Sequence, residues 1–353
     1  MAGMLHIIDA EVSTDSLRQL AAVVLPDDLI VSVGPVDAPG DLSLPATRIH
    51  RPLGSAALAG VLAPPLGAAV RGVQAWSIPA GQAGESIARR QGCGLVIHLP
   101  HFPPTNRLNR LAMLVSSGCM AAVPTEACRR RLLAEGLSAS AVGVLPPAAA
   151  TMRQREALRA ETRQALGVAD AHRLVVAPGP LMREAGHKYA CWAFAVLRQI
   201  RDDLRLLIPG IGPAEPTVRN FAATLGYDRE IFMTSERLGL QAALAAADIM
   251  VFLPTGDCPV VSLAAGLAAG LPAVVWGTPD MRELTDEGRA SEVYAVGDVR
   301  SASAALLRLV DDPAAAQALA AAAGAWGGLR FGPAAARRRL EQIHAALGQV
   351  SPA

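Results

Sequence analysis

Few side chains in this 353-residue sequence stand where they could do chemistry, and those few follow short apolar runs. Asp257 comes just after the run Ile249–Leu253 and just before a small-residue stretch, Val260–Ala269, with the composition of a helix. A carboxylate placed there can accept hydrogen bonds from the hydroxyls of a ligand, or it can cap the N–H groups of the helix that follows. Arg183, His187 and Lys188 gather at the start of another helical stretch, near Gly186–Arg201. Such groups can meet an anion, helped by the helix's own N–H groups, or can simply be solvated. Gly210-Ile211-Gly212 follows the run Leu204–Pro209 and lacks the third glycine of a dinucleotide fingerprint. The sequence has no Walker loop, no Ser-His-Asp spacing pattern and no zinc signature.

These residues depend on a regular alternation of apolar runs and helical patterns. The predicted strands of the first half are Leu5–Asp9, Leu29–Gly34, Thr47–Arg51, Val73–Ser77, Leu95–Pro100, Met120–Pro124 and Val142–Pro146. Helical patterns lie between them near Thr14–Val24, Ala80–Gln91, Asn106–Ser116 and Thr125–Glu135. The second half repeats the rhythm, with strands at Arg173–Ala177, Leu204–Pro209, Glu230–Met233, Ile249–Leu253, Ala273–Trp276 and Glu292–Val296. Its helices are predicted near Gly186–Arg201, Pro216–Leu225, Leu238–Ala246, Val260–Ala269 and Ala302–Val310. Strands alternating with helices predict parallel sheets covered on both faces. A boundary falls after Pro146-Pro147, where a charged helix, Met152–Leu166, is expected on the surface or between domains. An amphipathic helix over Phe331–Gly348 ends the pattern. In the loop after the first strand, Ser13 or Asp15 is expected to cap the next helix.

The composition narrows the possibilities. A chain of this length suits two domains of roughly 150 residues each. A net charge of +1 gives no electrostatic case for a nucleic-acid partner. The five cysteines form no C-x-x-C pair, so they read as reduced, buried apolar residues of a cytoplasmic protein. No signal peptide is expected at the N-terminus. Residues 258–279 are uncharged and long enough to span a bilayer, but Pro259, Gly270, Pro272, Gly277 and Pro279 break them into a helix and a strand. The triplets Arg129–Arg131 and Arg337–Arg339 read as solvated helix faces, or as weak contacts for an anionic lipid or an acidic partner. A peripheral membrane contact therefore stays open, while no transmembrane span is expected.

Several segments then fall in a familiar order. Ala122-Val123-Pro124-Thr125, Val144-Leu145-Pro146-Pro147, Val175–Gly179, Leu206–Pro213, Leu244–Pro254 and Ala268-Ala269-Gly270-Leu271-Pro272 follow one another over some two hundred positions. Through them residues 120–330 resemble a family 4 glycosyltransferase of the GT-B fold. The N-terminal part matches more loosely, through Val73–Ala80 and Leu95–His101. The resemblance implies an α/β protein of two Rossmann-like domains, with parallel sheets facing an inter-domain cleft. It places an N-terminal, acceptor-side domain at 1–148 and a nucleotide-sugar-side domain at 149–330. The tail 331–353 would cross back to the first domain.

The same resemblance assigns roles to residues. A nucleotide-sugar donor would lie on the second domain against Gly179, Gly210, Gly212 and the amides near Val260 and Val261. The family's two diphosphate cations fall here on Pro180 and Ala185, so Arg183 or Lys188 would have to supply charge. Lys188, three residues beyond Ala185, would share its helix face. The family's paired glutamates become Asp257 and Ala265, and Ala265 can accept nothing. Cys258 and Val260 replace glycines of that loop, and Pro259 brings no N–H. His101 is the best match to a catalytic-side histidine, while His98, within its strand, is expected to be packed or paired. The implied activity is sugar transfer from a nucleotide-sugar to a glycan or other acceptor, with no metal and no further cofactor. The alternative is a GT-B binding or scaffold protein that has lost catalysis.

Overall fold

The computed structural model describes residues 3–33, 36, 70–150, 152, 154–234 and 238–347, and the strand predicted at Thr47–Arg51 lies outside them. The chain divides into two compact units. In the first, β1 (Leu5–Asp9), α1 (Thr14–Val23), β2 (Leu29–Val33), β3 (Val73–Ala75), α2 (Ile78–Gln91) and β4 (Leu95–His98) come in turn. They are followed by α3 (Thr105–Ser116), β5 (Met120–Val123), α4 (Glu126–Ala134) and β6 (Val142–Val144). The six strands form one parallel sheet in the order β2-β1-β3-β4-β5-β6. Ser13, not Asp15, is the N-cap of α1, and its hydroxyl accepts from Ser16 N–H. Asp15 is buried within the first turn, 3.8 Å from Arg18.

The second unit begins with α5 (Arg155–Ala165) and continues through β7 (Arg173–Val176), α6 (His187–Arg198), β8 (Leu204–Ile208), α7 (Glu215–Thr224) and β9 (Ile231–Met233). Next come α8 (Leu240–Ala246), β10 (Ile249–Phe252), α9 (Val261–Ala268), β11 (Ala273–Trp276), α10 (Pro279–Leu284) and β12 (Glu292–Tyr294). Then α11 (Val299–Asp311) and α12 (Pro313–Phe331) close the unit. Its parallel sheet runs β12-β11-β10-β7-β8-β9. The strand order turns between β7 and β10, the position at which open α/β sheets bind their ligands. Two buried layers, one on each face, hold this sheet.

The charged helix α5 is fastened to its own unit by arginines four residues apart, which share one helix face. Arg159 donates to the carbonyls of Ala246 and Ala247 at 2.8 and 2.9 Å and to Asp248 at 2.6 Å. Arg163 donates to Ala246 O and Asp248, and Arg155 to Ala269 O. The arginines thus satisfy carbonyls at the ends of α8 and α9 that no helix bond can reach. Two helices lie where the sequence pattern predicts none, α10 and α12. The nineteen residues of α12 are mostly Ala and Gly, so apolar positions surround the helix and leave no stripe to read. That composition has a use: a Cβ on Gly327 would stand 2.4 Å from Ala268 N, so α12 and α9 meet backbone to backbone.

The last helix, α13 (Pro333–Leu347), belongs to the first unit. Its side chains occupy space left by glycines: His344 beside Gly72, Ile343 beside Gly143 and Leu347 beside Gly94. His344 enters a buried polar cluster. Trp76 Nε1–H donates to His6 Nδ1 at 3.2 Å, so His6 Nε2 carries the hydrogen that faces Asp28 at 3.2 Å. Trp76 stacks on His98 with centroids 4.0 Å apart, and His98 pairs with Gln74 at 2.9 Å. His98 is thus both packed and paired, and burial holds its pKa well below the ordinary value.

His344 Nε2 is buried with no partner among the described residues. Burial, with His6 and Arg71 nearby, pushes its pKa from 6.5 down to about 4. The unfolded chain therefore takes up this proton first as pH falls. The stability tied to a neutral His344 is complete above pH 6.5 and is lost on the way to pH 4. Between pH 7 and pH 5 that loss amounts to about 2 kcal/mol. Urea unfolding at the two pH values should show it, and His344→Leu should shrink the difference by that amount. An unchanged difference in the variant would exclude His344 as its source.

Candidate functional site

The carboxyl ends of β7, β8 and β10 bring the second unit's candidate residues together. The central loop follows β7 and runs Ala177-Pro178-Gly179-Pro180-Leu181-Met182 into a single 3-10 turn, Arg183–Ala185. On one side it is tied to the loop after β8. Leu181 N–H donates to Ile211 O and Ala214 N–H to Leu181 O, both at 2.8 Å. A Cβ on Gly210 would stand 2.2 Å from Gly179 O, and one on Gly212 2.4 Å from Leu181 O. On the other side it is tied to the loop after β10, where Thr255 N–H donates to Glu184 O at 2.8 Å. Gly186 closes that side. Its φ is +75°, and a Cβ would stand 1.7 Å from Leu253 O. No other residue fits there, because both the backbone conformation and the missing side chain are needed. Gly179, Gly210 and Gly212 therefore pack loops against each other, and Gly186, directly after Ala185, fixes where α6 begins.

Two helices start at this edge. α6 begins after Gly186 and α9 after Val260, and neither N-cap residue makes a side-chain capping hydrogen bond of its own. The first N–H groups of a helix have no partner within it, and they carry its positive dipole end. Of the two roles open to Asp257, N-cap is not the one observed: the N-cap of α9 is Val260, three residues further on, because Pro259 and Val260 carry the chain on before helical turns begin. Asp257 itself is half-buried in the loop. The side chains of Val260 and Val261 are buried, and Val260 packs into the core, so only their backbone could face a ligand.

The three nitrogenous side chains near α6 separate. Arg183 and Lys188 are exposed. Lys188 Nζ lies 4.8 Å from the centre of the Phe221 ring of α7, a cation–π contact at the flank of the helix pair. His187 does not belong with the cations. It is 3% exposed beside the backbone of Ala177, and neither ring nitrogen makes a well-formed hydrogen bond among the described residues. Burial pushes its pKa down to about 4, which keeps the imidazole neutral at pH 7.

In the first unit, His101 sits beyond the end of β4 with Nδ1 2.8 Å from Phe102 O. A carbonyl can only accept, so Nδ1 carries the hydrogen and Nε2 is left as an acceptor. Arg131 stacks over the Phe102 ring at 3.8 Å. Nearby in the sheet, Asp9 ends β1, buried, and accepts from Ser77 Oγ at 2.7 Å and Glu11 N–H at 2.9 Å. Burial lifts its carboxyl above the usual carboxylate range despite those bonds. Glu11 pairs with Arg107 at 2.8 Å. The loop after β1 is thus held by side chains. Asp9 and Ser77 are 68 residues apart, and no local spacing signals their pairing. Among the described residues no group of three His, Cys, Asp or Glu could hold a metal ion, and no helix is long and apolar enough to cross a membrane.

This geometry has counterparts in known proteins. The sequence pattern of the glycosyl transferases group 1 family matches residues 172–312. No curated protein sequence matches the chain. Among solved structures, Anabaena HepE in complex with UDP and glucose is 15% identical, with a TM-score of 0.79 over 97% of this chain and 99% of that chain. A glycosyltransferase from Rickettsia africae is 13% identical, with a TM-score of 0.78 over 99% of each chain. WaaG, a glycosyltransferase involved in lipopolysaccharide biosynthesis, is 14% identical, with a TM-score of 0.73 over 97% of this chain and 99% of that chain. At such identities the structures speak for the fold, and the family pattern falls on the second unit, whose loops form the edge described above. The chain has the GT-B fold, and its residues 172–312 match the glycosyl transferases group 1 family.

Proposed function

We propose that the chain binds a nucleotide-sugar donor at the carboxyl edge of β7, β8 and β10 and transfers its sugar to a glycan or other acceptor. The observation that carries this reading is the pair of helix starts, α6 and α9, brought to one sheet edge beside loops packed so closely that glycine is required. Backbone N–H groups and helix dipoles held there offer a diphosphate leaving group donors that need no rearrangement. HepE, which shares the fold, has been solved with UDP-glucose. Gly179, Gly210 and Gly212 set the loops, and the amides near Val260 and Val261 face the donor. Asp257 accepts from sugar hydroxyls, and His101 serves the acceptor side through Nε2. Arg183 contributes charge from its exposed turn. Lys188 contributes only by leaving the Phe221 ring. The reading calls for no resident metal or cofactor.

A second reading, donor binding without transfer, has a specific observation behind it. Pro180, Ala185 and Ala265 stand at the family's two cationic positions and its second glutamate. Charge-assisted hydrogen bonds are worth about 1.5–3 kcal/mol each. An exposed helix terminus returns only about 0.3–1 kcal/mol. The donor grip is therefore weaker than a full set of cations would give, and transfer is the step most exposed to that loss.

Calorimetric titration with UDP and UDP-glucose tests donor binding. At a hundred times its dissociation constant a ligand should add about 2.7 kcal/mol to the unfolding free energy. No binding of any nucleoside diphosphate or nucleotide-sugar would end the donor reading. Binding with no sugar transfer or donor hydrolysis would select the second reading. Gly186→Ala should cost more than about 2 kcal/mol of stability and abolish nucleotide binding, since it sets a Cβ against Leu253 O at positive φ. A variant as stable as the parent would refute the close approach.

A further inference from the structure

The two arginine triplets meet at one place. A cavity of about 290 Å³ opens beside β6, lined from α4 by Arg129 and from α13 by Arg339. β6 is the edge strand of its sheet. Leu145 N–H donates inward to Val123 O at 2.8 Å, so in this register Val142 and Val144 turn their backbone groups outward. Both outward carbonyls are taken: Arg129 Nε donates to Val142 O at 2.8 Å, and Arg339 Nε to Val144 O at 2.9 Å. An added strand would need those carbonyls as acceptors, so the edge is closed to strand addition.

What this arrangement leaves facing the cavity is mostly donors. The N–H groups of Val142 and Val144 point outward with their carbonyls. Arg339 Nη1 donates to Gln342 Oε1 at 3.0 Å, which leaves the Gln342 amide nitrogen as a further donor. Glu126 is the one acidic residue of the lining, and it is paired with Arg129 at 2.9 Å. Two guanidinium groups against one carboxylate leave an excess positive charge in the wall. The exposed Arg130 and Arg338 of the same triplets add to the field.

We infer that this cavity is a binding site for a small phosphoryl anion, distinct from the donor edge of the second unit. Guanidinium groups and aligned backbone N–H groups suit phosphoryl oxygens, which accept several bonds at once. The volume lies at the low end of small-molecule sites and favours a phosphate group with little attached to it. The same chemistry could come from a soluble phosphate compound or from a lipid headgroup.

The test titrates inorganic phosphate into the full chain and follows the backbone amide resonances of Val142 and Val144. Saturable shifts are expected at both. Arg339→Met should weaken the apparent affinity about tenfold or more, as loss of a charge-assisted contact would. Gln342→Glu lies on the exposed face of α13, leaves the fold intact and should abolish binding by placing a carboxylate in the cavity. UDP binding should be unchanged in both variants, which separates this site from the donor edge. Vesicles of phosphatidylglycerol, compared with phosphatidylcholine, distinguish the sources. Sedimentation that depends on Arg339 assigns the anion to a lipid headgroup, and phosphate binding without sedimentation assigns it to a soluble compound. The absence of saturable phosphate shifts at Val142 and Val144 overturns the site, as do equal affinities in parent and variants.

Discussion

Gly186 lies so close to Leu253 O that a Cβ would stand 1.7 Å from it, with a backbone conformation that L side chains avoid. This contact fixes the start of α6 against the loop after β10, and the rest of the edge follows from it. Glu184 O can then accept from Thr255 N–H, and the loop after β7 is held from both sides. The glycines of the loop after β8 complete the packing by letting backbone meet backbone at Gly179 and Leu181. The candidate edge made this way owes little to long side chains. The donors it offers are peptide N–H groups, whose positions the sheet determines.

The missing cations take on a different meaning in this light. Pro180 is not merely the loss of an arginine, since it fixes φ just where Leu181 must turn to meet Ile211 and Ala214. Ala185 is buried under the loops, where a lysine stem would need another path. The neutral, buried His187 removes a further candidate charge from the helix start. The resulting edge is apolar and closely packed, with Arg183 and Lys188 left on its exterior. Elsewhere the chain uses arginine freely as a backbone partner. Arg155, Arg159 and Arg163 satisfy carbonyls in the second unit, and Arg129, Arg337 and Arg339 do so in the first. The triplets that read as solvated faces are therefore in good part structural fasteners.

Much of the fold was legible in the sequence because apolar strand runs bounded by glycine, proline and helix caps carry their own punctuation. β10, α9 and β11 follow the pattern Ile249–Trp276 closely. Gly270 marks the turn with a φ of +68°. α12 was hidden because an Ala- and Gly-rich helix has no polar face to set a period. The cap position is not legible at Asp257, because a proline and a β-branched residue delay the helix start to Val260. The pairing of Asp9 with Ser77, and the meeting of Arg129 with Arg339, depend on contacts between distant segments, which local spacing does not encode. The tautomer of His101 likewise depends on a carbonyl whose direction only the folded loop sets.

In the proposed donor site, backbone N–H groups at the starts of α6 and α9 would grip the diphosphate, with side-chain cations secondary. The most direct measurement is a crystal structure of the full chain with UDP bound. The diphosphate oxygens should lie within about 3.2 Å of backbone nitrogens in the first turns of those helices or in the loop after β7. A diphosphate gripped mainly by Arg or Lys side chains, or seated away from the β7–β10 edge, would contradict it.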